Sequence, residues 1–381
     1  MKYYIIAGEA SGDMHASNLV RALRRQDAQA EVRAWGGERL QEAGAVMVKN
    51  YNDMAFMGFV EVLTHLKTIF SLLGLCVRDI LQYRPDVVVL VDYPGFNLRV
   101  AKRLHRSGIP VYYYISPQVW AWHKSRIRQI REYVSEMFVI LPFEKDFYAQ
   151  NGMEVHYSGH PLLDELSRFS EDAGFMERNG LGGKPVIALL PGSRTQEIRR
   201  MLPVMAETAK AFPDYLFVIA GVKHHETLYQ PYLSDNLRIV YGETYPLLAH
   251  STAALVTSGT ATLETALFGV PQVVCYKGNY FSYLIAKHLI KGISYISLVN
   301  LIADKQVVTE LIQNDMNVQL LKRELAALLT DESRNRIKEE YRRLRLRLGD
   351  GDASGQTAAA MIHCLKKKLK KFWNMCNKTD V

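Results

Sequence analysis

Asp92 closes a strongly apolar run in Leu90-Val-Asp-Tyr-Pro-Gly-Phe-Asn97. A carboxylate at the mouth of a buried strand is either a turn cap or a general base, and desolvation raises its pKa toward a useful range. A second carboxylate, Glu9, lies in the glycine-rich turn Gly8-Glu-Ala-Ser-Gly-Asp13, also after an apolar run. Glycines let a ligand approach the backbone, and the helix start that follows attracts anions. No Lys-Ser/Thr follows the second glycine and no G-x-G-x-x-G is present, which disfavours both a P-loop and an NAD fingerprint. The acid points instead to sugar hydroxyls; the plain alternative is a tight structural turn with Asp13 near the helix start.

Two further turns favour anions. In Leu190-Pro-Gly-Ser-Arg-Thr-Gln-Glu-Ile198, Ser193 follows a glycine and Arg194 offers a guanidinium fork matched to phosphate oxygens. Glu197 reads best as a capping-box acid. In Thr257-Ser-Gly-Thr-Ala-Thr-Leu-Glu264, Ser258, Gly259, Thr260 and Thr262 bring hydroxyls and N–H groups to a helix start, while Glu264, a turn later, suits a ribose diol. Together the two turns suggest a nucleoside diphosphate site. Ser116-Pro-Gln-Val-Trp-Ala-Trp122 adds two tryptophans that form either a ligand wall or core. The triplet Asp350-Gly-Asp352 sits in a polar linker, and His224-His225-Glu226 lacks ligand spacing, so no metal and no cofactor are expected.

Short apolar runs must carry these turns. They occur at Tyr3–Ala7, Asp86–Val91, Val111–Ile115, Met137–Ile140 and Val155–Tyr157, then at Val186–Leu190, Leu216–Ile219, Arg238–Val240, Ala254–Val256 and Val273–Cys275. Helical patterns such as Ala16–Arg25 and Leu202–Ala211 intervene. Unalternating β-branched strands between helices argue for doubly wound α/β sheets, with ligands at the carboxyl ends of the strands. The polar, glycine-bearing stretch 164–185 separates the two series. The expected domains are 1–165 and 166–350, the second bearing the two anion-favouring turns, followed by a basic amphipathic segment, 351–381.

Composition excludes other classes. With 48% apolar and 23% charged residues in a chain of 381, the protein is neither a disordered tail nor a multi-span membrane protein. Four scattered cysteines form no C-x-x-C pair, and the opening lacks a signal-peptide pattern, so a reduced cytosolic protein is expected. The net charge of +8 is local: residues 334–381 hold 13 Lys/Arg against 5 Asp/Glu, and residues 1–333 are neutral.

Two segments suit lipid. Residues 54–83 include Phe56, Phe59, Leu66, Ile69, Phe70, Leu72, Leu73 and Leu75, too short an apolar run for a span and read as interfacial or as an internal helix. From Thr357 to Trp373, Ala358, Met361, Ile362, Leu365, Leu369 and Phe372 mark one helical face, ringed by lysines that include Lys367 and Lys370, with Trp373 at its edge. That pattern suits an anionic membrane surface, the alternative being a solvated lysine face. No nucleic-acid motif accompanies the patch, so no nucleic acid is expected as partner.

The segments AGEASGD, DYPGFN, SPQVWAW, LPGSRTQEI, TSGTATLE and SLVNLIADKQVVTELIQ, in this order, resemble the lipid A disaccharide synthase family over nearly the whole chain. The resemblance implies a GT-B fold, two Rossmann-like doubly wound parallel-sheet domains facing a cleft, with a C-terminal segment that crosses or is exchanged. It implies an inverting, metal-independent transfer from UDP-2,3-diacylglucosamine to 2,3-diacylglucosamine 1-phosphate, giving a β-1′,6-linked disaccharide and UDP. Asp92 would then be the base and Glu9 a sugar contact. Arg194 would meet the diphosphate, Thr260 and Thr262 the phosphate end, Glu264 the ribose, and Asn300 would line the cleft. A homodimer, peripheral on the cytoplasmic face of the inner membrane, is also implied. The rivals are another GT-B enzyme using a UDP-sugar, an epimerase included, and a non-catalytic nucleotide-sensing adaptor.

Overall fold

The computed structural model describes residues 1–51, 66–120, 125–278 and 295–376. The chain forms two units, Met1–Arg168 with Leu348–Val381, and Phe169–Arg347. The first holds seven strands: β1 (Lys2–Ala7), β2 (Glu31–Gly36), β3 (Val46–Asn50), β4 (Val87–Val91), β5 (Val111–Tyr114), β6 (Glu136–Val139) and β7 (His156–Tyr157). They lie in the order β3-β2-β1-β4-β5-β6-β7, all parallel. The second unit holds β8 (Val186–Leu190), β9 (Leu216–Gly221), β10 (Leu237–Tyr241), β11 (Ser251–Thr257), β12 (Gln272–Tyr276) and β13 (Thr309–Ile312). Their order is β10-β9-β8-β11-β12-β13, again parallel.

All ten apolar runs become strands. β3 and β13 escape a search for continuous apolar segments because they are edge strands, where polar residues are tolerated, and β2, buried on both faces, escapes because Arg33 interrupts its apolar run. In β3, Val46 is exposed, and β2 carries Arg33, whose guanidinium meets Asp79 in a bidentate pair at 2.9 and 2.6 Å. The two helices named from the pattern also start earlier than expected, at Ala10 and Thr195. Their first turns are made of glycine, serine or charged residues that only the strand-end geometry recruits into a helix.

Strand alternation divides the first core. Tyr3, Ile5 and Ala7 of β1 face the Ala10–Gln26 helix, whereas Tyr4 and Ile6 face the other layer. In that layer the Leu66–Tyr83 helix buries Leu73, Cys76 and Ile80, one stripe at helical spacing. The Tyr4 hydroxyl donates to Asp79 at 2.6 Å and accepts from the Trp35 indole at 2.8 Å, fixing the helix rotation. Phe70 remains 54% and Leu75 41% exposed, with Ile69 and Leu72 partly covered. The expected lipid-facing residues Phe56 and Phe59 lie outside the described residues, as does the Leu66 side chain. No helix among the described residues is long and apolar enough to cross a membrane.

The chain returns to the first unit as the Ala353–Cys376 helix. The apolar face read as membrane-directed is corrected here: Ala358, Met361, Ile362 and Leu365 are buried in the β1-side core beside the Ala10–Gln26 helix. Lys366, Lys367, Lys368 and Lys370 stay exposed, and the side chains of Leu369, Phe372 and Trp373 lie outside the described residues. Asp164, itself buried, accepts from the backbone N–H groups of Ala353 at 2.9 Å and Ser354 at 2.7 Å. A carboxylate at a helix start satisfies orphan donors and opposes the helix dipole. Asp164→Ala is expected to lower stability by about 2 kcal/mol, read as a reduced urea midpoint at unchanged slope.

Candidate active site

Strand order locates the sites. In the first sheet the winding reverses between β1 and β4, and in the second between β8 and β11. Ligands of open α/β sheets bind outside the carboxyl ends of the strands at such a reversal. Glu9 follows β1 and Asp92 follows β4; the Ser193-Arg194 turn follows β8 and the 258–264 segment follows β11. Four segments far apart in sequence thus fall at the two switch points.

Asp92 and Tyr93 have φ of 44° and 49°, consecutive left-handed residues that are not glycine. That conformation is costly and persists only when its surroundings impose it. Two groups impose it. The Asn97 amide donates to the Asp92 carbonyl at 2.7 Å and to the Val91 carbonyl at 3.2 Å, and the Tyr113 hydroxyl donates to the Asp92 carbonyl at 2.6 Å. Both clamps are fully buried. Tyr93 then lies against Gly8, where an added Cβ would meet its ring at 2.2 Å. Glycine is required there for the two turns to approach. Desolvation, and secondarily the charge of Glu9, raise the Asp92 carboxyl to about 6, while a Tyr93 backbone hydrogen bond opposes the shift. The side chain itself stays partly exposed, and so does Glu9. A partly accessible carboxylate poised near neutrality is suited to accept a proton.

The bland reading of Asp13 holds. Buried, it accepts from the backbone of Gly37 at 2.7 Å and Arg39 at 3.2 Å, tying the first helix to the turn after β2. After β5, Ile115 adopts φ of 66°, and the Ser116 hydroxyl meets that of Tyr148 at 2.7 Å. Glu144 accepts from the backbone of Leu141 at 3.0 Å and Ile140 at 3.3 Å, faces Trp120 and Ser116, and is pushed up to about 7 by burial. Trp120 packs edge-on to Phe143, which favours packing for this residue; Trp122 lies outside the described residues.

In the second unit, Glu197 accepts from the backbone of Ser193 at 3.1 Å and Arg194 at 3.2 Å. This capping shapes the turn and requires Gly192 at φ of 102°, where a Cβ would strike the carboxylate. The Arg194 guanidinium is 60% exposed, 3.8 Å from Glu197. After β11, Gly259 and Thr260 are exposed at the start of the Thr260–Leu267 helix, and Glu264 is half-buried with a 3.5 Å hydrogen bond from Tyr245. The Ser258 hydroxyl donates to the Ile296 carbonyl at 3.1 Å.

Two expected contacts take other roles. Thr262 is fully buried and its hydroxyl donates to the Gly259 carbonyl at 2.8 Å, holding the turn from within. Asn300 is fully buried as well. Its amide nitrogen donates to Val308 and Glu310, both at 2.9 Å, and its oxygen accepts from Val307 and Val308 at 2.8 and 3.0 Å. Every side-chain valence toward a ligand is spent, so Asn300 positions the segment instead of lining a site. Its partner Glu310 also accepts from the backbone of Ile296 and Ser297, and so fixes the carbonyl that receives Ser258. Glu310 lies in the SLVNLIADKQVVTELIQ segment, but its position alone, an acid in a short edge strand, does not show this positioning role. Asp352 of the D-x-D triplet meets Arg25 at 3.5 Å.

Solved structures share this architecture. A UDP-GlcNAc 2-epimerase from Neisseria meningitidis, bound to UDP-GlcNAc, matches with a TM-score of 0.64 at 15% identity, over 96% of this chain and all of that one (100%). The kitacinnamycin glycotransferase matches with a TM-score of 0.66 at 14% identity, over 95% and 98%. At such identities the likeness shows the fold, which is GT-B. Sequence goes further. A lipid-A-disaccharide synthase from Syntrophus aciditrophicus (strain SB) is 40% identical over 374 residues, 95% of this chain and 97% of that one. One from Nitrosococcus oceani is 40% identical over 361 residues, 91% and 92%. The family model described as lipid-A-disaccharide synthetase matches residues 3–362, and the chain belongs to that family.

Proposed function

We propose that this glycosyltransferase of lipid A biosynthesis joins UDP-2,3-diacylglucosamine to 2,3-diacylglucosamine 1-phosphate with inversion, releasing UDP. The observation that carries the reading is Asp92: held in a left-handed conformation, beside Glu9, with its carboxyl raised to about 6. The acceptor is assigned to the first unit, where Asp92 takes the proton of its 6-hydroxyl as that oxygen attacks the anomeric carbon, and Glu9 orients the sugar. The donor is assigned to the second unit. Arg194 and the exposed start of the Thr260–Leu267 helix neutralise the charge that develops on departing UDP, and Glu264 takes the ribose diol. Ser193, Ser258 and Gly259 contribute hydroxyl and backbone donors around the phosphates. With that positive potential in place the displacement needs no metal. Turnover in detergent micelles with both substrates, in the presence and absence of EDTA, tests the assignment; UDP binding without disaccharide formation would reject it, and UDP-GlcNAc epimerisation would favour the rival.

The reading also places the enzyme at the cytoplasmic face of the inner membrane, held by the exposed lysines of the C-terminal helix and by Phe70 and Leu75. A chain ending at Leu365 is expected to lose salt-sensitive binding to vesicles containing anionic lipid; undiminished binding would remove the lysines from the account.

Asp92→Asn is expected to reduce turnover by about 10²–10⁴-fold with UDP affinity unchanged. In the wild type, kcat/KM falls as the pH drops through about 6, because the base must be ionised. Glu9→Gln removes a negative charge that raises the Asp92 pKa, so the acid limb moves to lower pH; an unmoved limb would break the link. The stability sign is opposite to that of a paired carboxylate. A raised folded pKa stabilises at pH below the unfolded value and is lost as pH rises through about 6. Asp92→Asn should therefore unfold at higher temperature than wild type at pH 8, with the gap closing toward pH 4.

A further inference from the structure

Glu136, His156 and Cys364 converge on one point of the first unit. Glu136 begins β6 and His156 begins the edge strand β7, while Cys364 projects from the Ala353–Cys376 helix. The His156 Nε2 lies 2.9 Å from the Glu136 Oε2 and 3.8 Å from the Cys364 Sγ, and the three ligand atoms all lie within 4.8 Å of one another. Phe138 stacks on the imidazole at 4.8 Å and sets its plane.

Hydrogen bonding from one ring nitrogen accounts well for the Glu136 contact and leaves the Cys364 contact over. One ring nitrogen faces a carboxylate and a thiol, and it carries at most one proton. If Nε2 is protonated it donates to Glu136 and cannot accept from the thiol; if it is bare, its lone pair faces the carboxylate. A single cation satisfies all three lone pairs. Zinc bonds of about 2.0–2.3 Å at tetrahedral angles separate such ligands by about 3.4–3.6 Å. Two of the three separations, 2.9 and 3.8 Å, come within about half an ångström of that geometry, and all three lie within 4.8 Å.

We propose that Glu136, His156 and Cys364 form a zinc site that pins the C-terminal helix to the sheet edge. One nitrogen, one thiolate sulfur and one carboxylate oxygen suit this borderline-soft ion, and solvent supplies the fourth ligand because His156 and Glu136 are 37% and 36% exposed. Lys367 is the cation that faces the thiol, and its exposed, flexible stem carries the ammonium into solvent as the ion enters. The site joins segments 208 residues apart in sequence, so metal binding adds directly to folding free energy. It lies apart from Asp92 and Arg194 in sequence and takes no part in the transfer.

The test is zinc binding by the full chain after chelation. One equivalent is expected, with a rise in unfolding temperature, and cobalt should give a thiolate charge-transfer band. Cys364→Ser and Glu136→Gln, both close in shape to the native residues, should weaken zinc about tenfold or more and abolish the thermal shift; the cobalt band should vanish in Cys364→Ser and survive in Cys376→Ser. Turnover at ambient temperature should be the same with and without zinc. Absence of binding by the wild type, or zinc held equally by both variants, would overturn the site, whatever the outcome of the turnover experiment.

Discussion

The backbone carbonyl of Asp92 is held by two buried donors, Asn97 and Tyr113, and the turn after β4 depends on that clamp. Without it, two successive non-glycine residues would leave the left-handed region, which costs on the order of 1–3 kcal/mol per residue. With it, the chain turns sharply out of β4, Tyr93 closes over Gly8, and the Asp92 carboxyl stays beside Glu9, largely desolvated. Strain, burial and like-charge proximity all work against stability here. Burial and the Glu9 charge each raise the basicity of the Asp92 carboxylate.

The second unit uses the same sheet wiring for a different electrostatic task. Its switch point has hydroxyls, exposed N–H groups and a half-free guanidinium where the first has acids. The difference arises from the turns alone, since both sheets are parallel and buried. Glu197 shows how a carboxylate can belong to an anion-friendly turn. It is spent on the Ser193 and Arg194 N–H groups and thereby shapes the turn. Glu310 acts at one further remove, through Ile296 and Ser297 to Ser258.

The C-terminal helix shows burial overruling a surface pattern. A lysine-ringed amphipathic helix reads as a membrane binder when only its own residues are considered. Here its apolar stripe down to Leu365 completes the core beside the first helix, and Asp164 caps its start from a distant part of the chain. The lysines that remain outside belong to the helix end.

By itself the sequence determined the strand-turn-helix repeats, the ten principal strands and the turns bearing Glu9, Asp92, Arg194 and Glu264. Those features are local: an apolar run, a glycine and a chemically distinctive residue within a few positions of one another. Tertiary structure alone decided the edge strands β3 and β13, because half-covered strands need no continuous apolar run, and the interior strand β2, whose apolar run Arg33 interrupts. It also decided which polar residues are spent internally. Thr262 and Asn300 have side chains suited to a ligand, but each hydrogen bond they make is to a partner set by folding. The gathering of Glu136, His156 and Cys364 is equally invisible along the chain, since a strand pairing and a helix docking must both occur before three separated ligands share one point.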